Sequence, residues 1–250
     1  MGLFEAKREI SFASYSDVGD REVNEDYVAI KESDRRKMFV LCDGLGGHGM
    51  GDKASSLVGT VFGEVFGKCT DDSKFIAEAF ECAQKTLMDE QKKNNATRKM
   101  KTTCVAMVTD EKSAYIGHIG DSRLYIFKDN KVVQRTLDHS VPQMLALTHE
   151  IEDKDIRHHE DRNIVLKVMG VEWESPCYDL MKKLPLKRCQ AFLLCSDGFW
   201  ELIEENDMCS MLERSSTPSE WLDLMVKAVR ENGKSVHDMD NNSAIAVFVS

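Results

Sequence analysis

The sequence predicts an α+β fold that combines antiparallel β-sheets with pairs of helices. Candidate strands occur in consecutive runs and candidate helices occur in pairs, whereas a parallel sheet would alternate strand and helix along the chain. Short turns such as Asp129-Asn130 join successive strands, which is the pattern of a meander. Because no internal repeat or Pro/Gly/Ser-rich linker divides the chain, we expect a single domain over residues 1–250.

Nine segments have the length and the β-branched or apolar content of strands. In chain order they are 10–15, 27–31, 37–42, 103–109, 114–119, 123–128, 131–137, 191–195 and 244–249. Apolar residues recur at helical spacing in 52–68 and 72–93, and two further helices are predicted at 205–213 and 218–232. Ser216-Thr217-Pro218 provides a start signal for the last of these. The polar segment 139–162 is predicted to be a loop with helical turns that covers one face.

Composition and charge exclude several classes of protein. A net charge of −10 argues against a nucleic-acid partner, because a DNA or RNA backbone attracts basic surfaces. No apolar run approaches the roughly 18 residues that cross a bilayer, so we expect no membrane association. The segment from Met1 to Ile10 carries four charged residues and lacks the apolar core of a signal peptide. We therefore expect a monomeric protein of the cytoplasm.

The eight cysteines do not form a recognisable site. They contain no C-x-x-C pair, so a structural zinc site is not expected. None is followed by an arginine six positions later, as in the loop of thiol-based phosphatases, so a thiolate nucleophile has no support. We expect reduced, buried cysteines; this includes Cys42 and Cys195, for which packing is favoured over a redox role.

Two apolar segments end in the same way. Residues 38–42 run directly into Asp43-Gly44, and residues 191–196 run into Asp197-Gly198. Each apolar strand delivers a carboxylate at the edge of a core, and the glycine then lets the backbone turn tightly. A single Asp-Gly after a strand is more often only a turn. Because the arrangement occurs twice and a buried carboxylate is costly unless it is paired or metal-bound, the repetition favours shared metal ligation.

Further acids lie at strand borders. Asp121 is at the tip of a predicted hairpin, and Asp240 precedes the last strand; each alone could be a turn or loop residue. The run 21–26 places Arg21, Glu25 and Asp26 before a strand, where a solvated surface is the ordinary interpretation. Together, these oxygen ligands suit Mg²⁺ or Mn²⁺. Two such ions roughly 3.5–4 Å apart can activate a water for in-line displacement at phosphorus, and arginine suits phosphoryl oxygens.

The motifs in their order resemble those of a known family. They read Arg21-x-x-Asn24-Glu25-Asp26, Asp43-Gly44-Leu45-Gly46-Gly47-His48, Thr102-Thr103, Gly120-Asp121-Ser122-Arg123, Asp138-His139-Ser140, Ser196-Asp197-Gly198 and Asp240-Asn241. This set is similar to the metal-dependent PPM (type 2C) serine/threonine protein phosphatases, especially their short bacterial branch. The resemblance extends from about Ser11 to Val249.

The resemblance implies a fold, an activity and a set of ligands. The fold would be a four-layer α/β/β/α sandwich, and the activity would be hydrolysis of phosphoserine and phosphothreonine in proteins that a serine/threonine kinase modifies. A metal-bridging water or hydroxide would attack directly, without a covalent intermediate.

The implied site roles are assigned motif by motif. Asp43 would bridge two Mn²⁺ or Mg²⁺ ions, and the Gly44 carbonyl would bind one of them. Asp197 and Asp240 would complete the other. Glu25 and Asp26 would act largely through bound waters. Arg21 would bind the phosphate. Asp121, together with Asp197, would form a third, weaker metal site. Residues 139–169 would include the variable flap beside the cleft.

Two departures and two alternatives remain. Leu45 stands where many animal and plant members have a histidine that is a proposed general acid, His48 is not assigned that role, and the spacing from Gly19 to Arg21 is one residue short. The segment 44–49 also fits G-x-G-x-x-G, the dinucleotide fingerprint, although a helix is predicted about 20 residues on, where a second strand should end. The other alternative is a non-catalytic domain of the same fold.

Overall fold

The computed structural model describes residues 8–33, 35–45, 49–97 and 99–250. The first seven residues, on which the expectation of no signal peptide largely rests, lie outside these ranges. Within them are two antiparallel sheets. One sheet has the order β1 (Ile10–Asp17), β11 (Asn242–Val249), β10 (Ala191–Cys195), β6 (Arg123–Lys128) and β7 (Lys131–Arg135). The other has the order β2 (Asp26–Glu32), β3 (Lys37–Asp43), β4 (Cys104–Thr109), β5 (Ser113–Ile119) and β8 (Asp179–Leu180), with β9 (Leu184–Pro185) also paired to β5.

Helices cover the outer face of each sheet. The second sheet packs against α1 (Gly51–Lys68) and α2 (Asp72–Lys93), and the first against α4 (Asp197–Trp200), α5 (Glu205–Glu213) and α6 (Pro218–Gly233). Between β7 and β8 lie α3 (Val141–Leu147) and a 3-10 turn at Asp153–His158; another such turn is Leu186–Arg188. None of the helices in the described ranges is both long and apolar enough to cross a bilayer.

The alternation of side chains along the central strands explains the four layers. On β3, Met38, Val40 and Cys42 point towards α1 and α2, whereas Phe39 and Leu41 point into the space between the sheets. A strand buried on both faces must be apolar at every position, and this is why such strands read as continuous apolar runs. Each fully buried large side chain contributes about 1.5–3 kcal/mol. The α+β sandwich predicted from the sequence is confirmed.

Some predicted details were wrong. The strand predicted at 131–137 ends at Arg135, because the Thr136 hydroxyl takes the place of a backbone carbonyl and accepts the Leu124 N–H at 3.0 Å. Not all cysteines are buried: only Cys42, Cys104 and Cys195 are, whereas Cys82 is exposed on α2 and the other four are partly exposed. The short elements α4, β8 and β9 were not predicted, whereas α3 and the turn at Asp153–His158 lie in the segment 139–162, where helical turns were predicted.

Candidate active site

Asp43 ends β3 at the edge of the second sheet. It pairs with Asp26, the first residue of β2. Thr103 holds it from the other side, since the Asp43 N–H donates to the Thr103 hydroxyl at 3.1 Å and the Thr103 N–H donates to the Asp43 carbonyl at 2.8 Å. Gly44 then passes so close to the start of α1 that a Cβ there would lie 2.4 Å from the Gly51 carbonyl. The backbone at Asp43 is therefore fixed on both sides.

Asp197 reaches the same place from the first sheet. It follows β10 and Ser196 and is the first residue of α4. Its carboxylate accepts the Gly198 N–H at 2.6 Å. A Cβ on Gly198 would lie 2.2 Å from the Asn241 carbonyl, so only glycine allows α4 to start this close to the strand β11.

Asp121 lies at the tip of the β5–β6 hairpin and is only 4% exposed. The indole N–H of Trp200 donates to its backbone carbonyl at 3.1 Å. The hydroxyls of Thr103 and Ser122 are 2.7 Å apart, and Thr103 also contacts Asp43. The turn that carries Asp121 is therefore connected to the end of β3.

Burial and, after it, the proximity of other acids raise the pKa values of these aspartates. Burial, followed by the charges of Asp197, Asp26 and Asp121, raises the pKa of Asp43 well above its usual range. Burial and the charges of Asp197 and Asp138 do the same to the pKa of Asp121. The pKa of Asp197 is raised by burial and by Asp240, against a hydrogen bond with Asp43. Such shifts mark carboxylates that lack sufficient positive charge around them.

Glu25 and Asp26 lie beside these acids. Burial raises the pKa of Glu25, against the effect of the backbone N–H groups of Gly51 and Asp52 at the start of α1, which lower it. Asp26 accepts a hydrogen bond from the Ser196 hydroxyl at 2.8 Å, while its other carboxylate oxygen is buried without a partner. Burial is the main reason that the pKa of Asp26 rises to about 7.

Arg21 and Asp240 form an ion pair at the rim. The guanidinium donates to both carboxylate oxygens of Asp240, at 3.1 and 3.2 Å, and to Asp238 at 2.9 Å. The Arg21 side chain is 42% exposed and that of Asp240 47% exposed. Salt bridges with this exposure contribute little to stability, so Arg21 can exchange a carboxylate for another anion at small cost.

One cleft of about 460 Å³ brings together Arg21 and all of these acids except Asp26. Its lining residues are Arg21, Glu22, Val23, Glu25, Asp43, Gly44, Leu45, Gly49, Asp121, Asn163, Val165, Asp197, Asp240 and Asn241. The donor set fits hard divalent cations, because it consists of carboxylate and carbonyl oxygens. The unpartnered oxygen of Asp26 and the raised pKa values of Asp43 and Asp121 also fit a site that takes up positive charge.

A family model described as protein phosphatase 2C matches residues 15–241 of the chain. The chain belongs to this family. It is therefore a phosphatase, and the resemblance predicted from the sequence motifs is confirmed. The serine/threonine phosphatase stp of Listeria monocytogenes serotype 4b (strain F2365) is 30% identical over 222 residues, which cover 85% of this chain and 86% of that protein.

Solved structures of phosphatases have the same fold. The crystal structure of the serine/threonine phosphatase Stp1 from Staphylococcus aureus superposes with a TM-score of 0.87 at 27% identity, covering 100% of this chain and 99% of that one. The catalytic domain of the serine/threonine protein phosphatase PstP, solved in complex with two manganese ions, has a TM-score of 0.80 at 22% identity, with 97% and 99% covered. At that identity PstP supports the fold alone.

Most of the site residues predicted from sequence meet in the cleft of this phosphatase. Arg21, Glu25, Asp43, Gly44, Asp121, Asp197 and Asp240 line it, and Asp26 lies behind them against Ser196. Leu45 lines the cleft with a side chain that cannot donate a proton. Gly46, the middle glycine of the dinucleotide fingerprint, lies outside the described residues, as do Gly47 and His48. The segment about 20 residues further on is inside α1, as predicted.

Sequence reasoning missed Glu201. It lies four residues after Asp197, directly after α4, and accepts a hydrogen bond from Arg162 at 3.0 Å. Burial, followed by the charge of Asp197, raises the pKa of Glu201 to about 7 in spite of Arg162. The i,i+4 spacing from Asp197 was the available signal, but α4 itself was not predicted.

Proposed function

We propose that this phosphatase hydrolyses phosphoserine and phosphothreonine in proteins, that it depends on two divalent metal ions, and that water attacks phosphorus without a covalent enzyme intermediate. Its substrates are proteins that a serine/threonine kinase has modified. The relatives named above, stp and Stp1, carry this activity in their names. We further propose that residues 1–250 form one catalytic domain that acts as a monomer.

One observation carries the proposal: aspartates from both sheets meet in a single cleft. Asp43 comes from β3, Asp197 from the end of β10, and Asp121 from the β5–β6 hairpin. A stable fold does not bury several carboxylates together for packing, because each costs free energy without a cation. This arrangement therefore supports a metal centre, with the cost of assembling the acids offset when ions bind.

Asp43, Asp197, Asp240 and the Gly44 carbonyl would hold the two ions, and Asp121 with Asp197 would hold a weaker third. This set of oxygen donors can bind either manganese or magnesium. When bound, two divalent ions lower the pKa of a shared water and neutralise charge on the phosphoryl group. PstP, which has the same fold, was solved with two manganese ions.

The remaining groups of the cleft act on the substrate and on the ligand side chains. Arg21 presents its planar guanidinium at the rim, where it can hold two phosphoryl oxygens at once. Ser196 donates to Asp26 and fixes the direction of that carboxylate. Glu25 packs against the start of α1, where a Cβ on Gly51 would lie 2.8 Å from its carboxylate oxygen. Thr103 fixes the backbone of Asp43 and keeps its carboxylate directed into the cleft.

A metal series with three peptide substrates tests the proposal. Phosphate release from phosphoserine, phosphothreonine and phosphotyrosine peptides is measured after chelation and after addition of Mn²⁺, Mg²⁺ or Zn²⁺. We expect turnover of the phosphoserine and phosphothreonine peptides only with Mn²⁺ or Mg²⁺. Alkylation of the thiols with iodoacetamide should leave turnover intact while the protein remains folded. Full activity in excess chelator, or its stoichiometric loss on alkylation of one cysteine, would overturn the proposal.

The same assay tests the alternative of a non-catalytic domain. Such a domain would lose a ligand carboxylate, and Asp43, Asp197 and Asp240 are all present. A chain that binds the phosphothreonine peptide but releases no phosphate at any metal concentration would establish that alternative.

A further inference from the structure

Two histidines and an aspartate form a cluster beside the cleft. His118 is on β5, His139 follows β7, and Asp179 begins β8. In the part of the chain that the structure describes, these form the one group of three His, Cys, Asp or Glu side chains whose ligand atoms lie within 4.8 Å of each other. Both imidazoles are buried, and their rings stack with centroids 4.8 Å apart and planes 11° apart.

The hydrogen bonds of the cluster define where each proton lies. The His118 Nε2 is 2.7 Å from the Leu137 carbonyl, which can only accept, so Nε2 carries the proton. The Gly120 N–H donates to His139 Nδ1 at 3.1 Å, so this nitrogen carries a lone pair. Burial and the adjacent His118 lower the pKa of His139 to about 4, so the ring is neutral near pH 7. Its proton is then on Nε2, which lies 3.3 Å from an Asp179 carboxylate oxygen but makes no hydrogen bond of good geometry.

This distribution of protons argues against a metal ion in the cluster. A metal needs an imidazole lone pair, and the His139 nitrogen that faces Asp179 has none. Lone pairs lie in the plane of an imidazole ring, and these two rings are stacked almost parallel, so their lone pairs cannot converge on one ion. The nitrogen of His139 to which a function can be assigned is therefore Nδ1, which contacts Gly120.

We propose that His139 is a positioning residue for the reaction, which accepts the Gly120 N–H through Nδ1 and so holds the turn that carries Asp121. The backbone adds a second contact, since the His139 N–H donates to the Gly120 carbonyl at 2.9 Å. The proposal rests on the proposed function insofar as Asp121 takes part in catalysis.

The turn at Gly120 has little freedom to adjust. Gly120 has φ of +103°, and a Cβ there would lie 2.5 Å from the Thr103 side chain. The Gly120 N–H is thus packed between Thr103 and His139, and without Nδ1 it would be a buried donor with no acceptor. The turn would then shift towards another acceptor. Because Thr103 also contacts Ser122 and Asp43, a shift would alter the spacing of Asp121 from Asp43.

The tautomer of His139 is a direct test that needs no activity. Long-range proton–nitrogen correlation spectra of the full chain, in magnesium buffer near pH 7, distinguish protonated from unprotonated imidazole nitrogens. We expect a neutral His139 with its proton on Nε2 and a neutral His118 with its proton also on Nε2. A proton on His139 Nδ1, with or without added Zn²⁺, would overturn the proposal and would instead favour a metal at Nε2.

A matched pair of variants separates the two nitrogens. In His139→Asn the amide oxygen can replace Nδ1 and accept from Gly120, whereas in His139→Gln the amide can only replace Nε2 and contact Asp179. We expect His139→Gln to lose at least about tenfold in kcat, since a displacement of about 1 Å at a site can cost 100-fold. His139→Asn should recover most of that loss. The reverse order would overturn the proposal.

Hydrogen exchange at the Gly120 amide gives a readout that does not depend on turnover. This amide should remain protected in wild type and in His139→Asn, and should exchange faster in His139→Gln at equal global stability. Equal protection in both variants would contradict the positioning role. If the wild-type chain showed no phosphatase activity, the proposed function would fail, but the tautomer and the Gly120 exchange would still decide the contact.

Discussion

At the scale of single residues, the acids of the cleft occupy positions that a solvated surface would not give them. Asp43 and Asp197 each follow an apolar strand, and both could be found from the sequence because an apolar run that stops at Asp-Gly occurs twice. Asp26 could be identified as an acid, but not its partner Ser196 or its unpartnered oxygen, since these depend on contacts between distant segments. Glu201 was missed because the short helix α4, which connects it to Asp197, was not predicted.

Substitution of Asp43 or Asp197 by Asn tests their roles as ligands. Each change removes a charged oxygen from the metal pair, so turnover should fall by orders of magnitude at saturating manganese. The stability of the chelated protein should change little or increase, because repulsion between buried carboxylates is relieved. Steady-state kinetics and thermal melts measure the two effects. Near wild-type turnover in either variant would show that the residue is not a ligand.

Arg21 can be separated from the metal centre. If it binds the phosphoryl group, Arg21→Ala should lower kcat/KM at least about tenfold, and Arg21→Lys should lower it less, because Lys keeps the charge but loses the bidentate fork. The matched control is Asp238→Asn, which removes the other exposed partner of Arg21 and should change kcat/KM little.

Calorimetric manganese binding distinguishes two explanations for Arg21. An unchanged affinity in Arg21→Ala supports contact with substrate. A parallel loss of manganese affinity would mean instead that Arg21 acts by orienting Asp240, with which it forms two hydrogen bonds.

At the scale of elements, the four periodic helices were predicted to within one residue, whereas the four-residue helix α4 was not predicted. The helix α2 occupies Asp72–Lys93, as predicted, because its apolar period runs over many turns. The four-residue helix α4 has no such period. It starts at Asp197, shortly after the end of β10, and tertiary contacts hold it in place. The same holds for β8, which exists because it pairs with β5.

Two glycines of α1 provide a matched test of how this helix meets the site. A Cβ on Gly51 would lie 2.8 Å from both the Glu25 carboxylate and the Gly44 backbone, whereas a Cβ on Gly67 meets nothing within 4 Å. Gly51→Ala should therefore lower the melting temperature and the manganese affinity together. Gly67→Ala should stabilise the chain by about 0.5–1 kcal/mol and leave turnover unchanged. Wild-type manganese affinity in Gly51→Ala would refute the proposed connection between α1 and the centre.

At the scale of the whole molecule, the site exists because two sheets stack and end at the same edge. The sequence indicates strands, but not which edges meet, so the convergence of β3, β10 and the β5–β6 hairpin depended on the family resemblance. The stacking itself follows from strands such as β3, whose alternate residues enter the core between the sheets and the core under α1 and α2. Burial of the acids at this edge makes the stability of the molecule depend on pH.

The pH dependence has a definite sign. The folded pKa of Asp26 is about 7, well above the unfolded value of about 3.9, and those of Asp43, Asp121 and Asp197 are also raised. Between about pH 4 and about pH 7 the folded chelated chain binds more protons than the unfolded chain, so the stability of the fold decreases as the pH rises through this range. Manganese requires deprotonated ligands, so the increase in melting temperature that it causes should grow with pH. Calorimetric melts check both trends, and Asp26→Asn should flatten the first. A chelated chain whose melting temperature rises over this range would contradict the explanation.

The central claim is that the acids of this cleft bind the metal ions on which phosphate hydrolysis depends. Its most direct test is calorimetric titration of Mn²⁺ into chelator-treated wild-type protein and into Asp43→Asn, with phosphate release from a phosphothreonine peptide followed over the same manganese concentrations. Two ions should bind per wild-type chain with release of protons, activity should rise with their occupancy, and Asp43→Asn should lose both. Activity without bound manganese, or the same binding in Asp43→Asn, would contradict the claim.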